Sequence, residues 1–171
     1  KFLNSVNFFL KNKSVSIVKI NKKKIFFHAR HSVKKKIYKY IIFNRSFISP
    51  IYEKRSWLIK NKLDMKMMKK GIKFFLGTHN FSAMRAASCS AKNPNRTISK
   101  ANIKKKGDKI FITFESKSFL QKQVRSMVGC LKYVGEKKWN PEKIKKVISS
   151  KQRSYCAPPA PPEGLYLEKV I

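Results

Sequence analysis

The sequence predicts an α+β fold with a mostly antiparallel sheet flanked by helices, on three observations. Strand-like and helix-like stretches are interleaved along the chain instead of being grouped by type. Thr97 to Asn102 and Lys109 to Phe114 read as two strands of a hairpin, with Lys104-Lys105-Lys106-Gly107-Asp108 at its turn. Apolar residues at Leu120, Val124, Met127, Val128, Leu131 and Val134 recur with the spacing of one helical stripe.

Taken in order, Phe2, Val6, Phe9 and Leu10 share a face, which predicts a short helix within residues 1 to 13. Val15 to Ile20 and Ile25 to His28 read as strand-like runs on either side of a Lys22-Lys23-Lys24 turn. A basic connector, His28 to Lys36, leads into Ile37 to Phe43, which is rich in aromatic and β-branched residues and reads as a strand. Period two puts Tyr38, Tyr40 and Ile42 on one of its faces and Lys39, Ile41 and Phe43 on the other. Asn44 to Lys62 lacks periodicity and reads as a loop. Asp64 suits the N-cap of a helix whose stripe is Met65, Met68, Ile72, Phe75 and Leu76, with Gly77 closing it. His79 to Ser82 reads as a turn, and Met84 to Arg96 as an exposed loop. After the central helix, Asn140-Pro141-Glu142 starts another helix, striped by Ile144, Val147 and Ile148. The proline-rich stretch Ala157 to Gly164 is stiff and cannot enter a central sheet, and Leu165 to Val170 reads as a last strand.

With 171 residues, 42% of them hydrophobic, the chain is long enough for one domain with a sizeable core. Its 41 Lys and Arg outnumber 8 Asp and Glu, for a net charge of +33, and a folded, aromatic-rich chain with such a field suits a nucleic acid partner. No run of 18 apolar residues and no long basic amphipathic helix argues for a membrane. Cys89, Cys130 and Cys156 are odd in number and far apart. They suit neither a disulfide framework nor a zinc site, and they fit a reducing, cytoplasmic compartment. No metal is expected, because His28, His31 and His79 have no ligand-spaced companions.

The carboxylates do not assemble into an acid–base pair on paper. Asp64 and Glu142 have helix-start roles, and Asp108 lies in a hairpin turn. What stands out instead is Arg125, on the border of a buried helical stripe, where a guanidinium either snorkels to water or meets an interior anion. Three further features suit RNA. His28, Arg30, His31 and Lys34 to Lys36 form a dense basic connector. Arg85, Lys92 and Arg96 space cations along a small-residue loop that a phosphate backbone can approach. Tyr38 and Tyr40 share a strand face on which bases can stack, though ordinary sheet packing accounts for them equally well.

Four motifs in order resemble those of one family, the bacterial tRNA pseudouridine synthases of the TruA type. Phe27-His28-Ala29-Arg30-His31-Ser32 with Tyr38-Lys39-Tyr40 is similar to F-H-A-R-F-S and its following Y-x-Y strand. Leu76-Gly77-Thr78-His79-Asn80-Phe81, Arg85-Ala86 and Pro94-Asn95-Arg96-Thr97 are similar to L-G-x-H-D-F, R-A and P-x-R-T. Phe119 to Gly129 is similar to F-L-H-x-M-V-R-N-x-V-G, and Ala160 to Leu167 to A-P-P-x-G-L-Y-L. The resemblance covers residues 26 to 171 well and residues 1 to 25 loosely.

The resemblance implies the C-terminal lobe of a pseudouridine synthase fold. On that basis residues 26–171 form the α+β catalytic-lobe domain, and 1–25 are the remnant of an N-terminal lobe. It implies isomerisation of uridine to pseudouridine at tRNA positions 38–40, in the anticodon stem-loop, without cofactor or metal, by a homodimer. Tyr38 would stack on the flipped uracil, and Arg125 would pair with the catalytic aspartate. Phe27, His28, Ala29, Arg30 and His31 match segments that contact tRNA, as do Arg85, Ser88, Cys89, Ser90, Ala91, Lys92 and Arg96. The family's R-T-D-x-G motif, which carries its aspartate, is absent here, and the chain begins at Lys1. These two facts lead to the expectation of an N-terminally truncated enzyme, inactive alone. A non-catalytic RNA-binding protein derived from the same fold is the alternative, and a basic ribosomal-type protein explains the charge but not the motifs. Gln121 and Lys122 stand where the family often has histidines, His31 replaces Phe, and Asn80 replaces Asp.

Overall fold

A computed structural model describes residues 1–29, 31–47 and 49–171. It divides into two units, Lys1–Ser32 and Val33–Ile171. The first holds one helix, α1 (Phe2–Phe9), with no buried residue. Neither strand-like run of this unit forms a strand. The Asn7 amide takes both main-chain groups of Ile17 (2.8 and 2.7 Å), so a side chain stands where a ladder partner would be. Phe26 and Val18 stay about nine-tenths exposed, so hydrophobic runs alone do not make a sheet there.

The second unit is built on a six-stranded sheet. Its strands are β1 (Lys36–Asn44), β2 (Trp57–Ile59), β3 (Gly77–Asn80), β4 (Asn95–Lys106), β5 (Lys109–Ser116) and β6 (Leu165–Val170). The order is β2-β1-β5-β4-β3, and β6 also pairs with β1. Among the described residues β1–β2 is the one parallel pairing and the others are antiparallel, in keeping with the α+β reading. β5 runs along one edge of β1, while β6 and β2 share the other, at Lys36–Tyr40 and Ile42–Asn44.

Two of these strands correct the sequence reading. Asn44 to Lys62 is not all loop: it holds β2 and a 3₁₀ turn at Pro50–Tyr52. β2 forms where β6, which ends its pairing at Tyr40, leaves that edge of β1 open, and it pairs there with Ile42, Phe43 and Asn44. His79 and Asn80, read as a turn, belong to β3, where they pair with Arg96 and Asn95 of β4. Met84 is also fully buried instead of opening an exposed loop, because a 3₁₀ turn at Ser82–Met84 carries it inward.

Three helices complete the unit: α2 (Met65–Ile72), α3 (Gln123–Gly135) and α4 (Lys143–Ser150). Asp64 caps α2 by accepting from the Lys66 and Met67 amides, as the sequence indicates. The predicted last turn tightens to a 3₁₀ turn at Lys73–Phe75, leaving Leu76 exposed before Gly77 takes φ +93°. The core joins Tyr40, Ile42, Ile110, Ile112 and Phe114 of the sheet with the apolar stripes of the helices. Val124, Met127, Val128, Leu131 and Val134 of α3 are all buried, and each such side chain contributes about 1.5–3 kcal/mol. Among the described residues, no helix is long and apolar enough to cross a membrane.

Candidate active site

A cleft of about 210 Å³ opens where β1, the N-terminal end of α3 and the start of β6 converge. Tyr38 reaches it from β1, Leu165 from β6, and Phe119 to Arg125 from the turn into α3. It is smaller than the roughly 300 Å³ minimum usual for a drug-sized ligand, so it suits a single heterocycle. Tyr38 stands edge-on to Phe119, with ring centroids 5.2 Å apart and planes at 87°. A second aromatic ring therefore fixes the Tyr38 ring at the mouth. The neighbouring Tyr40 has another job. It is fully buried, its hydroxyl donates to the Pro161 carbonyl at 2.7 Å, and burial pushes its phenol up.

Arg125 resolves the snorkel-or-anion choice in a third way. It is half-buried, and its Nε donates to the Ala160 carbonyl at 2.6 Å. Its own main-chain carbonyl accepts from the Ala160 amide at 2.9 Å. Arg125 makes no ion pair among the described residues, and no carboxylate lines the cleft. Asp64 is spent on the α2 cap, and Asp108 lies 3.5 Å from Arg45 at the hairpin turn. The cleft thus offers a cation held by its Nε, and none of the described residues that line it is a carboxylate.

The small-residue loop is tied to the rim of this cleft. The Ala86 amide donates to the Gln121 carbonyl at 3.0 Å, and the Ser88 hydroxyl donates to Gln121 Oε1 at 3.2 Å. Arg85 Nη1 binds the Ala91 carbonyl, while Arg96 Nη1 binds those of Asn93 and Asn95. Arg85, Ser88, Cys89, Ser90, Ala91, Lys92 and Arg96 therefore lie on one loop and the strand it enters, beside residue 121. The Ala91 and Gln121 amides hold the Cys89 thiol below its usual range, and Arg85 and Arg96 add to the effect. Phe27, His28, Ala29 and His31 lie exposed in the first unit, where the two imidazoles approach to 4.3 Å between centroids. Arg30 lies outside the described residues. Among the described residues no group of three His, Cys, Asp or Glu is placed to hold a metal ion.

The family described as tRNA pseudouridine synthase matches residues 72–171. Over all 171 residues the chain is 55% identical to tRNA pseudouridine synthase A of Pelagibacter ubique, covering 70% of that protein. It is 40% identical over 167 residues to tRNA pseudouridine synthase A of Ehrlichia chaffeensis, covering 98% of this chain and 68% of the relative. The chain belongs to the tRNA pseudouridine synthase family.

Membership in the tRNA pseudouridine synthase family joins the isomerases to a cleft whose walls include two residues that the sequence had singled out, Tyr38 and Arg125. Two contributors were not legible in the sequence. Phe119 orients Tyr38, and the main chain of Ala160 holds Arg125 from both sides. No periodicity signals a carbonyl contact 35 residues away. The nearest available hint was the proline-rich character of Ala157 to Gly164, which keeps that main chain out of the sheet ladders and so free to bond elsewhere.

Proposed function

We propose that this chain supplies the base-stacking and arginine side of an active site that isomerises uridine to pseudouridine at positions 38–40 of the tRNA anticodon stem-loop. In that reaction the N1–C1′ bond breaks, the uracil turns, and a C5–C1′ bond forms. The C5 hydrogen leaves to solvent and N1 takes a proton. Tyr38 stacks on the extruded base, and Arg125 holds the catalytic carboxylate, keeping it ionised. The observation that carries this reading is Tyr38 and Arg125 on one cleft with no acid on its walls. On this reading the carboxylate is brought to the cleft from elsewhere, and the chain alone binds tRNA without turning it over. The loop from Arg85 to Arg96 and the connector Phe27 to His31 contact phosphates, and the enzyme works as a homodimer in the cytoplasm.

The test is tritium release from tRNA labelled at uridine C5. The expected outcome is retention of the RNA by the chain with release no higher than in buffer, and robust release would overturn the missing-carboxylate reading. The same acid-free cleft also favours a second reading, a non-catalytic RNA-binding protein of this fold. The two part at the coding sequence upstream of Lys1. An in-frame R-T-D-x-G segment there supports the enzyme, and a start codon immediately before Lys1 supports the binder.

A further inference from the structure

Gln123 is fully buried at the head of α3, yet it lines the cleft beside Tyr38 and Arg125. Its side-chain carbonyl is occupied: the Leu120 amide donates to Oε1 at 2.8 Å. Because a main-chain N–H can only donate, that contact fixes which end of the side-chain amide is oxygen. The other end, Nε2, carries two N–H groups and has no hydrogen-bond partner among the described residues. A buried donor left unpaired is costly, and beside a cleft a ligand is one of the partners that can complete it.

We infer that Gln123 Nε2 is a substrate-facing donor that reads a carbonyl oxygen of the pyrimidine entering this cleft. The inference rests on the reading that the cleft takes a base. Two features select a base carbonyl over a carboxylate as the acceptor. Besides the polar Gln121, Lys122 and Arg125, the walls carry an aromatic and aliphatic set (Tyr38, Phe119, Leu120, Val124 and Leu165), which suits the faces of a planar neutral ring. A carboxylate entering the cleft is drawn to the Arg125 guanidinium, which leaves the neutral Gln123 amide to a neutral carbonyl. The motif that this stretch resembles carries Met at the corresponding place. That makes Gln123→Met a subtraction that the fold tolerates. Gln123→Glu is the second variant: it keeps an oxygen for the Leu120 amide and removes the NH₂.

The experiment measures binding of the 171-residue chain to four anticodon stem-loop RNAs by fluorescence anisotropy. They carry uridine, 2-thiouridine, 4-thiouridine or an abasic site at the target position. The wild-type chain should favour uridine over the abasic RNA, and each variant should lose about threefold to tenfold of that preference, the share of one hydrogen bond. A thiocarbonyl accepts weakly, so one of the two thio-RNAs should bind the wild type less tightly than uridine does, while Gln123→Met should not distinguish them. A merely structural Gln123 cannot produce that coupling. Variants that keep the full preference, or wild type and variant responding alike to both thio-RNAs, would overturn the role of Gln123 while leaving the cleft's function standing. A wild-type chain that binds uridine and abasic RNA equally would overturn the base-binding reading of the cleft, and this inference with it.

Discussion

Arg125 is set by a reciprocal pair of contacts with a single residue, since Ala160 accepts from its Nε and donates to its main-chain carbonyl. Substituting its side chain thus leaves half of the junction intact, because the main-chain bond persists. Cys89 is placed with similar economy, its sulfur drawn toward the Ala91 and Gln121 amides beside two arginines. A depressed thiol pKa means more thiolate at neutral pH, and the thiolate is the nucleophile. Cys130 is the opposite case: its contact with the Cys156 sulfur (3.6 Å), then burial, push its thiol well up. Limited iodoacetamide treatment near neutral pH should therefore alkylate Cys89 well before Cys130, as read by peptide mass spectrometry. Adding tRNA should slow alkylation at Cys89 by several fold, since that loop is proposed to meet phosphate. An unchanged rate would remove residues 88–92 from the RNA surface.

Between elements, the contact that fixes Arg125 depends on how closely α3 approaches the proline-rich segment. A Cβ added at Gly129 would sit 2.0 Å from the Pro158 carbonyl oxygen, an obstacle made of backbone that cannot swing aside. Gly129→Ala should therefore cost about 3 kcal/mol or more in urea unfolding, the upper end of overpacking penalties, where the same change on an open helix face would stabilise. A cost under about 0.5 kcal/mol would show that the segment and α3 are not packed this tightly. The same packing logic separates what was legible in the sequence from what was not. β1, β4, β5, β6, α3 and the Asp64 cap were readable, because each has its own periodicity, turn or capping residue within a dozen positions. β2 was not, since three residues cannot show alternation, and it exists only because β1 has a free edge beside β6. β3 was hidden by Gly77 and Asn80, poor strand formers that pairing with β4 overrides. At the site, Tyr38 and Arg125 were visible as residue types in telling places. The unpartnered end of Gln123 was not, because an unmet hydrogen bond is a fact of three dimensions.

Across the whole molecule, the charge balance puts unusual weight on a few acids. With 41 Lys and Arg against 8 Asp and Glu, each carboxylate sits in a strongly positive field. Three of them are held below their ordinary range by particular contacts. For Glu115 the leading cause is the Lys35 ammonium, 2.9 Å away, with Ser99 adding a further hydrogen bond. For Asp64 it is the Met67 amide, with the Lys66 amide and Lys137 assisting. Burial alone would raise Glu136, but Lys132 (2.8 Å) and Lys138 (3.1 Å) more than reverse it. A carboxylate whose folded-state pKa is depressed binds protons less readily than in the unfolded chain. The stability it contributes is present above the unfolded value, near 4, and is lost as pH falls through the lower folded value. Protonating these groups also removes the counter-charges from a surface that is already repelling itself. Urea midpoints should hold steady from about pH 7 to 5 and then fall steeply below about pH 4. Glu136→Gln should flatten part of that acid limb, while added salt should soften all of it by screening the cations from one another. A midpoint that stays level down to about pH 3, or an acid limb indifferent to salt, would show that these pairs do not anchor the fold and that its cations are already neutralised by other means.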